Sequence, residues 1–374
     1  MMPPAPFDRT KLKLHPLADR ANRVSVRRDM VDPDQPSRSP LPPSVSDAVV
    51  ETASRMREAR RHNRPCILAF GAHTIKNGLA PVLIRLMECG WVQHLATNGA
   101  GIIHDWELAW QGATSEDVRK NTKEGRFGLW SETGENLNLA ILLGALDDLG
   151  YGASVGRLIH EDGHHIPERD RLLALIAEAG ASAHAAARAA AAADVLSVCG
   201  RFDMAPGRRH VRHEWKSFSV QAAAYRLQVP FTAHPMFGHD IIYTHPLNHG
   251  AAVGRTAERD FLTFASQISR IDGGVYLSVG SAVMSPMIFE KSFAMAQNLA
   301  LQRNRPITRH YIGVVDLASS QWDWRQGEPP SDSPDYYLRF CKTFSRMGGT
   351  LRYTTADNRD FLLALTHELT GSQL

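Results

Sequence analysis

Residues 66–110, CILAFGAHTIKNGLAPVLIRLMECG followed by WVQHLATNGAGIIHDWELAW, contain two strand-turn-helix units in direct succession. In each unit an apolar run ends in a turn of small and polar residues, and a helical pattern follows. Such units place successive strands side by side in a parallel sheet, so both turns are expected at the same edge. That edge is where doubly wound α/β proteins bind their ligands.

The same alternation continues to the end of the chain. Further strands are predicted at Val195–Cys199 and in the segments PFTAHPMF (230–237), GGVYLSVGSA (273–282), HYIGVVDLA (310–318) and, as an edge strand, TLRYTT (350–355). Helical segments of ten to fifteen residues separate them, which is typical of a parallel sheet. We therefore predict a Rossmann-like α/β fold for residues 46–374, a single domain with a doubly wound, mainly parallel sheet and helices on both faces.

The first 45 residues have a different composition. Nine of the 21 prolines lie at or before Pro43, and proline interrupts regular structure. We predict an N-terminal arm over residues 1–45. Such an arm docks on a neighbouring subunit or remains a mobile tail.

Composition excludes several classes of protein. Residues 1–45 contain eight basic and five acidic residues and the remainder 34 of each, so no basic face for nucleic acid is expected. The four cysteines are widely separated, which favours reduced structural thiols. The N-terminus has no apolar signal-peptide core, and no apolar run reaches the length of a membrane span. These features predict a cytoplasmic protein without a membrane segment.

The first two turns carry the candidate site residues of the opening units. Between Gly71 and Gly78 lie His73, Thr74, Lys76 and Asn77. Glycines allow close backbone approach, and a helix N-terminus and Lys76 favour an anion such as a pyrophosphate. The alternative is a solvated loop lysine and a histidine at a strand end. The second turn offers hydrogen-bonding side chains and two glycines, with two titratable groups in the helix that follows: Thr97, Asn98, Gly99, Gly101, His104 and Asp105. Asp105 is alternatively a helix-start charge that satisfies the dipole.

Two later turns repeat the pattern. Residues 234–250, HPMFGHDIIYTHPLNHG, hold five titratable side chains: His234, His239, Asp240, His245 and His249. A substrate pocket with Asp240 as charge partner and His239 as acid or base is one interpretation. Surface histidines and a zinc site are the others, although the spacings match no helix face. The fourth turn places Gly280, Ser281 and Ser285 before a helix, which suits a backbone that touches a ligand.

One segment matches a metallopeptidase motif literally. His160, Glu161 and His164 satisfy H-E-x-x-H, whose chemistry requires both imidazoles on one face of a regular helix. Gly163 lies inside the motif and Pro167 follows it, which favours a loop. We predict no metal here.

The order of the four turns resembles the deoxyhypusine synthase family, and in particular its bacterial deoxyhypusine synthase-like branch. The segments GAHTIKNG, TNGAGIIHD, GHDIIYTHP, LSVGSAVMSP and YTTADNRDFLLAL carry the resemblance from about Pro65 onward. The resemblance implies bound NAD, a homotetramer with active sites at dimer interfaces, and aminobutyl transfer from a polyamine through a lysine imine. It also implies that a set of turn residues lines NAD: Ala72, Thr74, Asn77, Gly78, Thr97, Gly99, Gly280, Ser281 and Asp357. Asp240 matches an acidic residue of the family's amine pocket.

Two departures bear on the chemistry. His104 stands where the family has a glutamate that binds the substrate ammonium, and the imine-forming lysine has no counterpart between His310 and Arg352. The first hypothesis is an NAD-dependent enzyme that transiently oxidises its substrate, with group transfer of the polyamine or homospermidine type. The alternatives are an NAD-dependent dehydrogenase or eliminase on an anionic or hydroxylated small molecule, and a non-catalytic ligand-binding homologue. In the enzyme hypotheses His104, Asp105, His239, Asp240 and Lys76 manage protons and charge.

Overall fold

A computed structural model describes residues 5–35 and 40–371. Its strands, in chain order, are β1 Asn22–Ser25, β2 Cys66–Phe70, β3 His94–Thr97, β4 Ala113–Glu116, β5 Gly163–Ile166, β6 Gly207–His210, β7 Phe231–Ala233, β8 Val275–Val279, β9 Tyr311–Asp316 and β10 Thr350–Thr355. Its helices are α1 Val26–Asp29, α2 Pro43–Arg61, α3 Ala72–Lys76, α4 Ala80–Glu88, α5 Gly99–Gln111, α6 Val118–Lys123, α7 Ser131–Leu146, α8 Tyr151–Glu161, α9 Arg169–Ala177, α10 Ala183–Arg201, α11 Val220–Leu227, α12 Gly250–Ile268, α13 Met284–Gln302, α14 Arg339–Ser345 and α15 Asn358–Thr370.

The main sheet is parallel and has six strands in the order β10-β9-β8-β2-β3-β7. Numbered by their order along the chain, these strands follow 3-2-1-4-5-6, the order of the doubly wound dinucleotide-binding fold. The topological switch point lies between β2 and β8, where the chain leaves one half of the sheet for the other. The Rossmann-like α/β prediction is therefore confirmed, and β10 is an edge strand as predicted.

The two central strands show why the sequence forms this sheet. All five residues of β2 and all five of β8 are buried, as expected for strands covered by helices on both faces. One predicted strand is wrong: residues 195–199 lie inside α10. The alanine run before them has high helix propensity, and the helix continues through the apolar residues that follow.

The described part of the N-terminal segment packs against the core of its own chain. Leu17 and Val31 are fully buried, and β1 pairs with β4 in an antiparallel ladder. Arg20 forms a buried ion pair with Glu107 of α5. The predicted boundary at residue 45 falls within the first turn of α2.

Within the described ranges, no single helix is long and apolar enough to cross a membrane. The pair α7 and α8 passes the same test of length and hydropathy only when the two are joined, and they are bent by 113° at the break between them.

Candidate functional site

A crevice opens at the carboxyl ends of the strands around the switch point. It has a volume of about 200 Å³. The end of β9 and the segments after β2, β8, β9 and β10 supply its nine lining residues: His73, Asn77, Gly280, Val315, Asp316, Leu317, Ala356, Asp357 and Asn358. Crevices in this position bind ligands in open α/β sheets. Four of the predicted site residues are therefore brought together here: His73, Asn77, Gly280 and Asp357.

Two glycines allow the turns on either side of the switch point to meet. The Gly71 amide donates to the carbonyl of Val279 at 3.2 Å, and a side chain at Gly71 would overlap the carbonyl oxygen of Gly280. Gly280 has a φ of 57°, in the left-handed region that favours glycine. A Cβ atom there would approach only the Asn358 amide, so the Gly280 backbone faces open space.

Asn358, which the sequence did not single out, fixes the first turn to α15. Its Oδ1 accepts a hydrogen bond from Asn77 Nδ2 at 2.8 Å, and its Nδ2 donates to Thr74 Oγ1 at 3.3 Å. Thr74 is fully buried, so it supports the crevice from behind. Asp316 was also missed, although an acidic residue at the end of the buried strand β9 is a recognisable signal.

The second turn holds its shape through its own polar side chains. Thr97 Oγ1 donates to the carbonyl of Phe70 at 2.9 Å and is fully buried. Asn98 caps α5, its Oδ1 accepting from the Gly101 amide at 2.9 Å. Both residues therefore shape the turn, and neither lines the crevice.

On α5, His104 belongs to a buried hydrogen-bond network. Its Nδ1 lies 2.7 Å from Thr114 Oγ1, and Thr114 Oγ1 donates to Glu107 Oε2 at 2.5 Å. Arg20 binds both carboxylate oxygens of Glu107, at 2.8 and 2.6 Å. Burial would raise the pKa of Glu107, but the charge and hydrogen bonds of Arg20 hold it below the ordinary value. Glu107 is therefore a carboxylate.

The network determines which nitrogen of His104 carries the proton. A threonine hydroxyl has one hydrogen, and the Glu107 carboxylate takes it. Thr114 Oγ1 must then accept from His104, which places the imidazole proton on Nδ1. Burial lowers the pKa of His104 to about 4, with Glu107 opposing that effect. His104 is thus neutral at physiological pH. Among the described residues, none forms a hydrogen bond with its Nε2.

His73 and Lys76 of α3 act electrostatically on His104 of α5. The charges of Lys76 and His73 both lower the pKa of His104, so the three groups share one electrostatic environment. Burial lowers the pKa of Lys76, and burial together with Lys76 lowers the pKa of His73. Within residues 5–35 and 40–371, Lys76 forms no ion pair. With both histidine pKa values lowered, Lys76 supplies the positive charge of this group at neutral pH, and that charge suits an anion.

Asp240 lies beside the first turn of α5. A side chain at Gly99 would overlap the Asp240 carboxylate, so the glycine permits this close approach. Asp240 Oδ1 accepts from the Ile242 amide at 3.0 Å, whereas Oδ2 is buried without a partner. Burial raises the pKa of Asp240 to about 6, although the Ile242 hydrogen bond lowers it. The buried hydroxyls of Tyr151 and Tyr243 also lack partners, and the Asp240 charge acts on both.

Other predicted site residues lie outside these groups. Asp105 is fully buried and accepts from Ser219 Oγ at 2.6 Å and from the Val220 amide at 2.8 Å, so it anchors α11 instead of facing the crevice. A side chain at Gly78 would overlap the carbonyl of Asp29, because the N-terminal segment covers this glycine. His239 is exposed.

Two predicted residues lie at the margin of the crevice. Ala72 is half-buried at the start of α3. Ser281 is 7% exposed, and its Oγ accepts from the Ser285 amide at 3.3 Å. Neither side chain lines the crevice, although each is adjacent to a residue that shapes it.

The metallopeptidase motif is split between two elements. His160 and Glu161 end α8, whereas His164 lies in β5. No cluster of three or more potential metal ligands occurs in the described segments.

Comparison with known proteins gives neither a family nor a curated relative. No protein-family model matches the chain, and no curated protein matches it. Among solved structures, the ternary complex of AgrE with ornithine and NAD+ is 15% identical over 90% of this chain, with a TM-score of 0.43. A putative LOR/SDH protein from Methanococcus maripaludis S2 is 11% identical over 91% of this chain and 70% of its own, with a TM-score of 0.41. ArgZ, an arginine dihydrolase of cyanobacteria, is 13% identical over 86% of this chain, with a TM-score of 0.38.

The chain spans about a third of the length of AgrE and ArgZ, 34% and 32% respectively. At these identities and TM-scores, no activity transfers from them to this chain. None of these proteins is a deoxyhypusine synthase, so the resemblance drawn from the four turns is wrong. The polyamine substrate, the aminobutyl transfer and the homotetramer were implied by that resemblance alone, and their basis is lost with it.

Proposed function

We propose that this protein is an NAD-dependent enzyme that oxidises a small anionic or hydroxylated molecule, as a dehydrogenase or as an eliminase that oxidises its substrate transiently. The observation that supports this most strongly is the 3-2-1-4-5-6 strand order with an open crevice at its switch point. The non-catalytic alternative has no comparable support, because a neutral histidine with an unbonded Nε2 is suited to proton transfer.

The crevice residues fit a dinucleotide in chemical character. Gly280 presents backbone to open space, which permits close approach of a phosphate or ribose. Asp316 and Asp357 also line the crevice, and carboxylates at this edge bind ribose hydroxyls in dinucleotide sites. A volume of about 200 Å³ is below the range of roughly 300–1,000 Å³ for small-molecule sites. The crevice alone would therefore hold only part of the cofactor.

The chain's own residues would handle the proton and the charge of the substrate. NAD, when bound, supplies the hydride acceptor. His104 Nε2 would accept the proton from a substrate hydroxyl or amine, because Thr114 holds Nδ1 protonated. Lys76 would bind a carboxylate or phosphate of the substrate, since it is partly desolvated and unpaired. His73, which lines the crevice, would offer a neutral imidazole for hydrogen bonding there.

Turnover tests the proposal directly. Formation of NADH is measured with a panel of small hydroxy acids and amino acids, and release of a deaminated or dehydrated product is followed in parallel. A dehydrogenase accumulates NADH, whereas an eliminase forms product while NAD is regenerated. We expect Lys76→Met to raise the KM for anionic substrates and His104→Gln to lower kcat by roughly 100-fold or more. Absence of both NADH and product across the panel would contradict the proposal.

The pH profile should reflect the two groups separately. Activity should rise as pH increases through the pKa of His104, about 4, because only the neutral imidazole accepts a proton. Activity should fall at alkaline pH when Lys76 loses its charge, and this limb should lie below the ordinary lysine pKa because burial lowers it.

Thr114 is a positioning residue, and its role is separable from folding. Thr114→Val keeps the shape but removes the acceptor for His104 Nδ1–H. We expect nitrogen NMR to show Nδ1 protonated in the wild type and a mixture of tautomers in Thr114→Val, with kcat reduced and KM little changed. A Thr114→Ser variant should restore both signals. Identical histidine spectra in wild type and Thr114→Val would rule out this role.

A further inference from the structure

A second cavity, of about 390 Å³, is separate from the switch-point crevice. It is enclosed by α7, α8, β5, α9 and α10, and it shares no residue with the crevice. Its volume is within the range of about 300–1,000 Å³ that is usual for small-molecule sites. Two residues of the metallopeptidase motif, Glu161 and His164, line this cavity, whereas His160 does not.

The floor of the cavity is apolar. Leu143, Leu146 and Leu158 line it, and each is at most 3% exposed to solvent. Leu175 of α9 adds to the wall. From α10, Arg188 lines the cavity. Between residues 183 and 193 of this helix, only His184 and Arg188 have side chains longer than a methyl group.

Arg188 is the polar side chain that this alanine-rich helix supplies to the cavity. Its Nε is buried and has no hydrogen-bond partner. No ion pair or hydrogen bond to the rest of its guanidinium occurs in the parts of the chain that the structure describes. An arginine cannot lose its proton in a protein, and a buried donor without an acceptor costs free energy. A bound acceptor would remove that cost.

The other charged groups of the cavity do not neutralise Arg188. Arg157 is already paired with Asp147 at 2.7 Å, and Arg171 at the rim has no ion pair within the described ranges. Glu161 and Glu168 are exposed, so water screens their charge. His164 is neutral, because burial lowers its pKa to about 3. Arg188 is half-buried, and its Nε is a buried donor of the cavity without a partner among the described residues.

We propose that this cavity binds a small organic anion with an apolar body. Arg188 would take the carboxylate or phosphate, Arg171 would support it from the rim, and the leucine floor would hold the apolar body. The planar N–H groups of an arginine match the oxygens of either anion. The site is separate from the crevice, so its occupancy does not depend on the proposed NAD chemistry.

Hexanoate is a suitable probe, because it combines a carboxylate with a short apolar body. Binding is measured by saturation-transfer NMR and calorimetry on the full chain. A molecule of this size is expected to bind with millimolar affinity, and Arg188→Met should weaken it by roughly tenfold to a hundredfold. The matched control Arg303→Met, at an exposed arginine outside the cavity, should bind hexanoate as the wild type does. No binding by the wild type, or equal binding by Arg188→Met, would overturn the proposal.

Two further probes separate the contribution of the anionic group from that of the apolar body, and a stability measurement tests the cost of the unpaired Arg188 donor. Hexylamine lacks the anion and acetate lacks the apolar body, so both should bind at least about tenfold more weakly than hexanoate. The Arg188→Met variant should keep or raise the melting temperature, because it removes a buried unpaired donor. If that variant fails to fold, Arg188→Lys keeps the test open: it retains the charge but loses the bidentate geometry and should bind hexanoate with intermediate affinity. Hexylamine binding as tightly as hexanoate would also overturn the proposal.

Discussion

Asp105 on α5 and Asp240 beside the first turn of α5 are both carboxylates, yet their hydrogen-bond partners differ. Asp105 accepts hydrogen bonds from Ser219, Val220 and Gln221, including both backbone and side-chain donors. Asp240 has one backbone donor and an Oδ2 that is buried without a partner. Burial raises the pKa of both. A carboxylate whose acceptors are filled holds the fold together, whereas one with an open acceptor is available to a ligand.

Glu107, which lies on α5 like Asp105, also has filled acceptors, because Arg20, Thr114 and Thr133 donate hydrogen bonds to it. Its partners also orient His104. Asp105 and Glu107, whose acceptors are filled, therefore stabilise the fold. Asp240, which has an open acceptor, lies beside the first turn of α5. Substitutions at these positions should have effects of opposite sign.

The largest effect is expected for Arg20→Met, which would leave Glu107 buried and unpaired. Breaking a buried ion pair in this way costs about 3–5 kcal/mol of folding free energy. Urea denaturation of the variant measures that loss. Arg23→Met, which removes an ion pair with Asp117 whose side chains are 63% and 40% exposed, should change stability by about 1 kcal/mol or less. Equal losses in the two variants would contradict the assignment of Glu107 as a buried carboxylate.

A smaller loss is expected for Asp105→Asn. The amide would present an NH2 group to donors that now bind a carboxylate oxygen, leaving at least one of them without an acceptor. Such a defect costs about 1–3 kcal/mol. Denaturation with urea should show this loss while the strand content, followed by circular dichroism, stays unchanged in the folded protein. Wild-type stability in Asp105→Asn would mean that Asp105 is not an anchor of α11.

The opposite sign is expected for Asp240→Asn, which keeps the hydrogen bond to the Ile242 amide and removes an unpaired charge. The folded-state pKa of Asp240, about 6, is above the ordinary value, so ionisation of this group opposes folding as pH rises through that pKa. The variant should therefore be more stable than the wild type by about 1–3 kcal/mol above neutral pH. The difference should shrink as pH falls below about 6, where the wild-type carboxyl is protonated in the fold. A loss of stability at alkaline pH would show that Asp240 has a partner.

The fold was predictable because it depends on local signals, whereas the site depends on distant pairs. The apolar runs and small-residue turns of β2, β3, β8, β9 and β10 were sufficient to predict a parallel sheet and the edge at which the crevice opens. The partner of Glu107 was not predictable, because Arg20 is 87 residues away in a proline-rich segment. Local propensity also misled at residues 195–199, where the alanine-rich helix continues through an apolar run.

Two neighbouring residues of α5 show that the sequence pattern did not predict which way each side chain points. His104 and Asp105 were predicted to face one cleft, but successive residues on a helix point about 100° apart. His104 hydrogen-bonds Thr114, whereas Asp105 hydrogen-bonds Ser219 and Val220 at the start of α11. The four turns also resembled those of the deoxyhypusine synthase family, which none of the comparisons supports. Small residues and polar side chains at strand ends are common to folds of this kind, so they do not identify a family.

We propose that NAD binds in the switch-point crevice. Calorimetric titration of NAD into the double variant Asp316→Asn/Asp357→Asn tests this proposal. Asparagine keeps the backbone hydrogen bonds that these carboxylates now accept from Ala318 and Arg359, so the fold should persist. The exposed Asp332→Asn variant is the control. We predict that the wild type and the control bind NAD and that the double variant binds it at least about tenfold more weakly. Failure of the wild type to bind NAD at millimolar concentration, or equal affinity in the double variant, would contradict the account.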